Sequence, residues 1–194
     1  MLRRPKRIFQ LATKQQIENG IVTPPHLCSM RVMPWDIDYN LHLNNASYLT
    51  MLEYARTEWA LDSGTLGESF KRGYTMGLAG IAIQYRREVG CFQRILIETR
   101  YVANDDKFFY VEQIIRKANG QFVSRAMTRI YMINTKAKKI LHPVVFLREV
   151  CGYGEDAEFV FDYCKGVLKD DLPSRLFCEL QDAIGEKTLM PQTV

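Results

Sequence analysis

Residues 45–63 most constrain what this chain can fold into. Tyr48, Leu52, Ala55 and Trp59 recur at i, i+4, i+7 and i+11, one continuous stripe along a helix. Asn44 or Asn45 suits the start as a cap, and Gly64 suits the end in the left-handed conformation. Roughly 19 residues of helix span ~28 Å, the length of a small sheet. After it the period drops to two. Ile81, Ile83 and Tyr85 alternate with Ala82, Gln84 and Arg86, and Ile95, Ile97 and Tyr101 with Leu96, Glu98 and Arg100. Residues 107–117 and 121–134 read as long strands joined at Asn119-Gly120, a strong hairpin signal. A strand-like run over 28–35 precedes the helix. One strand, a long helix and four more strands predict an α+β fold, with the helix packed on an antiparallel sheet.

Composition narrows the class. The 194 residues fit one domain with some to spare, and 47% hydrophobic content is that of a folded chain. No uncharged apolar run approaches the ~20 residues that span a bilayer, so no transmembrane segment is expected. A net charge of +4 without a basic cluster among aromatics argues against nucleic acid as a partner. The cysteines (Cys28, Cys91, Cys151, Cys164, Cys178) are odd in number and lack a Cys-x-x-Cys pair. They argue against a disulfide framework and a zinc site and favour a reducing compartment. His26, His42 and His142 are equally dispersed, so no metal is expected.

Three segments are expected. Residues 1–22 form a basic arm, helical from Pro5 to a stop at Asn19-Gly20; 23–150 form the folded domain. Residues 151–194 form a helical extension, with Leu176, Phe177, Leu180 and Ile184 on one face between Pro173 and Gly185. The arm lacks the apolar core of a secretory signal, so a cytoplasmic location is expected. Its basic character leaves a mitochondrial or other organellar one open.

Chemistry concentrates in Trp35-Asp-Ile-Asp38-Tyr-Asn40-Leu-His42-Leu-Asn44-Asn45. Asp38, Asn40 and His42 stand at alternate positions just before the helix start. Unpaired N–H groups and a partial positive charge there polarise a carbonyl and hold an oxyanion. A carboxylate a few residues upstream then attacks that carbonyl, or activates a water to do so. Asn40 and His42 would orient the water or the carboxylate. Asp and Asn also serve turns and caps, and on residue types alone that structural reading leads.

The segment resembles the hot-dog fold thioesterases, the superfamily of 4-hydroxybenzoyl-CoA thioesterase and the plant acyl-carrier-protein thioesterases. Asp36-Ile-Asp38, Tyr48-Leu49 and Glu53-Tyr-Ala-Arg56 match its pattern in order and spacing. Gln84-Tyr-Arg-Arg87, Phe92-Gln-Arg94, Glu98-Thr-Arg100 and Asp105-Asp-Lys-Phe-Phe-Tyr110 are similar to the branch of thioesterase superfamily member six. The likeness covers about residues 28–148. One departure stands at Arg87-Glu88, where that branch often has Pro-Leu.

The resemblance implies a long helix wrapped by five or six antiparallel strands, and sites built across a dimer or dimer of dimers. It implies hydrolysis of acyl-CoA, or of acyl carrier protein thioesters, with Asp38 as catalytic carboxylate and the Asn45 N–H as the carbonyl's donor. Asn40 and His42 match the auxiliary pair, and Glu53 a helix acid that is catalytic in one branch and structural here. Arg86, Arg87, Lys107, Lys136, Lys138 and Lys139 are candidates for the coenzyme A phosphates. No separate cofactor is implied, because coenzyme A belongs to the substrate. The rival hydratase class resembles Asp-x-Asn-Pro-x-His, one residue longer between Asn and His than Asp38-Tyr-Asn40-Leu-His42. A non-catalytic acyl-binding protein is the other alternative.

Overall fold

Strand and helix alternate where the hydrophobic period changes. A computed structural model describes residues 16–18, 21–23 and 25–151. Its strands are β1 (Gln16–Glu18), β2 (Ile21–Thr23), β3 (His26–Arg31), β4 (Tyr74–Tyr85), β5 (Arg94–Asn104), β6 (Phe109–Lys117), β7 (Phe122–Asn134) and β8 (Lys139–Leu141). Its helices are α1 (Asn45–Asp62), α2 (Thr65–Arg72) and α3 (Pro143–Glu149). β1 and β2 form a separate pair, and the other six strands form one antiparallel sheet in the order β3-β5-β6-β7-β4, with β8 on β7. The fold is the expected α+β, a sheet wrapped round the long helix.

Register explains the core. Cys28 lies opposite Ile97, Ile97 opposite Ile115, and Ala126 opposite Ile83, forming part of a continuous apolar surface. Tyr48, Met51, Leu52 and Ala55 of α1 share one buried cluster with it. Leu52 is fully buried, and a side chain like this contributes about 1.5–3 kcal/mol. A second cluster, Tyr101, Phe109, Val111, Ile130 and Met132 with Leu147 of α3, fills the far end.

One buried charge crosses this interface. The Arg56 guanidinium donates to Gln113 Oε1 at 2.6 Å and to Thr128 Oγ1 at 3.3 Å. Gln113 Nε2 donates to the Leu52 carbonyl at 2.9 Å and to Thr99 Oγ1 at 3.1 Å. The network fixes the rotation and height of α1 on the sheet, and hence where its first turn sits.

Several elements differ from expectation. Gly64, left-handed at φ 77, ends α1 as foreseen and also starts α2, a helix the stripe did not reveal. β4 begins at Tyr74, earlier than the alternation at Ile81 indicates. Glycines interrupt the pattern there: a Cβ on Gly77 would collide with the Tyr131 ring, and the register shifts between Leu78 and Gly80. Gln16–Glu18 is a strand paired with Ile21–Thr23, not the end of a helix. The rest of the basic arm, the C-terminal helix, Cys164 and Cys178 lie outside the described residues. Among the described residues no helix is long and apolar enough to cross a membrane.

Candidate active site

The site segment is a small closed loop between β3 and α1. Asp36 shapes its entry: Asp36 Oδ2 accepts the Met33 N–H at 2.8 Å, and the Asp36 carbonyl accepts the Asn44 N–H at 2.8 Å. The Asp38 N–H donates to the His42 carbonyl at 3.0 Å, and the Leu41 N–H returns to the Asp38 carbonyl at 3.0 Å. Ile37 and Leu43 bridge its base, and Leu41 takes φ 64 to complete the turn. The backbone therefore sets Asp38 and His42 facing each other across the loop.

Their side chains follow. Asp38 Oδ1 accepts the Asn40 N–H at 2.8 Å and lies 3.7 Å from His42 Nδ1. The other ring nitrogen of His42 is 3.7 Å from Glu88 Oε1, so the imidazole stands between two carboxylates. The loop after β4 is fastened here by the Leu43 N–H on the Val89 carbonyl at 2.8 Å and by a bridge from His42 to Gly90. Glu88, part of the departure at Arg87-Glu88, becomes a neighbour of the site through that bridge. Linear spacing carries no trace of it.

The helix start follows the loop directly. Asn44 is the N-cap, and its side chain accepts the Ala46 N–H at 2.7 Å. Asn45 is the first helical residue, whose N–H has no intrahelical acceptor. Beneath it, buried Tyr48 meets the Tyr85 ring edge-on at 5.0 Å. Burial first, then Tyr85 and Glu88, push the Tyr48 hydroxyl up to about 12.

The structure brings Asp38, Asn40 and His42 together in one turn, with Asn45 opening the helix that follows, and one role changes. Asn40 is exposed, and its backbone N–H steadies Asp38. Glu53 is exposed two turns further along α1, ~12 Å of helix from Asn45, and does not reach Asp38 within one chain. Arg56, its partner in the Glu-x-x-Arg pattern, belongs to the buried helix–sheet network. Arg86 and Arg87 immediately precede Glu88 at the site end of the sheet, their backbone N–H groups bonded to the Val123 carbonyl. Lys107, Lys136, Lys138 and Lys139 occupy turns and strand ends at the opposite end, roughly 25–30 Å away along β6. A single chain does not gather the six cations. Trp35, Tyr39 and Leu41 of this segment, and Phe92 of the loop after β4, are exposed, from 57% to 91% accessible.

Residues 32–184 match the model of the thioesterase-like superfamily. Protein THEM6 of Xenopus laevis is 35% identical over 60% of this chain and 56% of its own length. Thioesterase lcsJ of Purpureocillium lilacinum is 26% identical over 56% of this chain and 41% of its own. The chain spans about half the length of the curated relatives it matches. Among solved structures, YbaW of Escherichia coli, a probable thioesterase, superposes with a TM-score of 0.61 at 26% identity, covering 65% of this chain and 96% of that one.

Proposed function

This chain belongs to the thioesterase-like superfamily, and on that premise we propose that it hydrolyses acyl-CoA thioesters to free acid and thiol. The observation that carries the reading is Asp38, turned toward His42 on a loop that ends at the unpaired N–H of Asn45. Asp38 Oδ1 is committed to the Asn40 N–H, and Oδ2 is the oxygen that takes a proton from water. The resulting hydroxide attacks the thioester carbonyl, whose developing oxyanion accepts the Asn45 N–H at the positive end of α1. Collapse expels coenzyme A as the thiolate, which takes the proton held by Asp38 and leaves as the thiol. His42 orients the water and Asp38. Direct attack by Asp38, through an anhydride, uses the same groups.

Coenzyme A would meet Arg86 and Arg87 at the site end. The proposed assembly is a homodimer joined antiparallel along β4, the longer of the two edge strands of the sheet. A two-fold axis there carries the opposite end of the partner's sheet, with its Lys136–Lys139 turn, alongside this chain's site end.

The test is thiol release from acyl-CoAs of increasing chain length. Wild type is expected to turn over some members, and Asp38→Ala to lose ~10²-fold or more with unchanged circular dichroism. A wild type inert across the panel, or a folded Asp38→Ala of equal activity, refutes the assignment. Crotonyl-CoA in the same assay tests water addition, the hydratase alternative.

A further inference from the structure

At the far end of α1 a second cluster of reactive side chains has no part in this chemistry. His26 and Cys28 are two apart on β3 and project from the same face of the strand. Glu58 and Asp62 are four apart on α1 and share one face of the helix. His26 Nε2 lies 3.2 Å from Asp62 Oδ2, and the Cys28 thiol donates to Glu58 Oε2 at 3.0 Å. One ligand atom from each of His26, Glu58 and Asp62 lies within 4.8 Å of the others. Cys28 is 2% exposed, and His26 Nδ1 is buried without a partner.

We propose that His26, Cys28, Glu58 and Asp62 bind one zinc ion that clamps β3 to the C-terminal half of α1, ~20–25 Å along the helix from Asn45. The donor set selects the metal: a thiolate and an imidazole suit zinc, whereas magnesium and calcium take oxygen ligands alone. Ordinary zinc–ligand bonds place neighbouring ligand atoms about 3.3–3.7 Å apart, so His26, Glu58 and Asp62 are already grouped, and the Cys28 thiol, in contact with Glu58 but outside that group, swings in as the fourth ligand. Four protein ligands leave no coordination position for water, which makes the site structural. On binding, the thiol proton leaves to solvent and a Zn–S bond replaces the S–H contact with Glu58. A nucleophilic role for Cys28 does not fit, because its thiol is buried and no substrate reaches it. Linear spacing hides the cluster, since each element supplies only two ligands.

The experiment titrates the metal-free full chain with zinc against a chromogenic chelator, then repeats it with cobalt. One equivalent should bind, and Asp62→Asn and His26→Gln should each weaken binding tenfold or more. Asp38→Ala should bind like wild type. Cobalt should show sulfur-to-metal charge transfer and intense tetrahedral d–d bands, with the charge transfer lost in Cys28→Ser. Absence of stoichiometric binding, wild-type affinity in both Asp62→Asn and His26→Gln, or charge transfer retained in Cys28→Ser overturns the proposal. Asp62 is exposed, so its variant should remain folded and carry the test even if Cys28→Ser does not fold.

Discussion

Two aspartates separated by one residue do different work. Asp36 holds the Met33 N–H through its side chain and the Asn44 N–H through its carbonyl. Asp38 lends one oxygen to its own turn and, in the proposed mechanism, keeps the other for chemistry. Asp36→Ala should therefore cost about 1 kcal/mol of stability, as loss of a cap does, read as a lower urea midpoint. Asp38→Ala should leave that midpoint within about 0.5 kcal/mol of wild type while losing activity. Equal stability losses would break the division of labour. Tyr48 makes a prediction of opposite kind. Its folded hydroxyl keeps its proton to about pH 12, whereas an unfolded tyrosine releases it near the ordinary value of 10. The folded state then binds the extra proton, so stability falls as pH rises through that window, by about 2–3 kcal/mol in all. Tyr48→Phe should flatten this part of the decline in urea midpoints between pH 9.5 and 11.5, and an unchanged slope would contradict it.

At the scale of elements, the helix is placed by a polar device inside an apolar interface. Burial pulls the Arg56 pKa below its ordinary value, with Glu53 opposing, and the guanidinium is held by the neutral acceptors of Gln113 and Thr128. Arg56→Ala should destabilise by about 3 kcal/mol, since it opens a cavity and strands those acceptors. Arg56→Leu with Gln113→Leu should lose less than the sum of the singles in a double-mutant cycle of urea midpoints. Strict additivity would show that the two side chains do not act together. The same interface explains what the sequence makes legible. α1 shows because burial of one face imposes one period, β4 and β5 because their apolar residues alternate, and β6 and β7, buried on both faces, because they are long and joined at Asn119-Gly120. α2 and the start of β4 are silent: α2 is short, and Gly77 and Gly80 stand where alternation would need side chains. Asp38, Asn40 and His42 are readable because they are contiguous. Glu88 and the cluster of His26, Cys28, Glu58 and Asp62 become neighbours only through tertiary contacts, which no local pattern encodes.

At the scale of the whole molecule, the sheet ends on one side in β4, twelve residues long. Met76 and Leu78 on that strand are 44% and 54% exposed. A long edge with apolar side chains invites another strand, and natural proteins usually cover or charge such edges. The proposed dimer covers it and resolves a second difficulty, since one chain holds Arg86 and Arg87 at the site end and its lysine-rich turns at the other. If two copies pair antiparallel, each site draws cations from both chains. Met76→Lys with Leu78→Lys should then convert a species of twice 22.5 kDa to the monomer in sedimentation velocity. It should also raise KM for acyl-CoA more than it lowers kcat, because binding groups are lost while Asp38 and Asn45 stay in place. A wild type that sediments as a monomer at micromolar concentration would remove the dimer. A monomeric variant with unchanged KM would keep the dimer and remove the shared phosphate site.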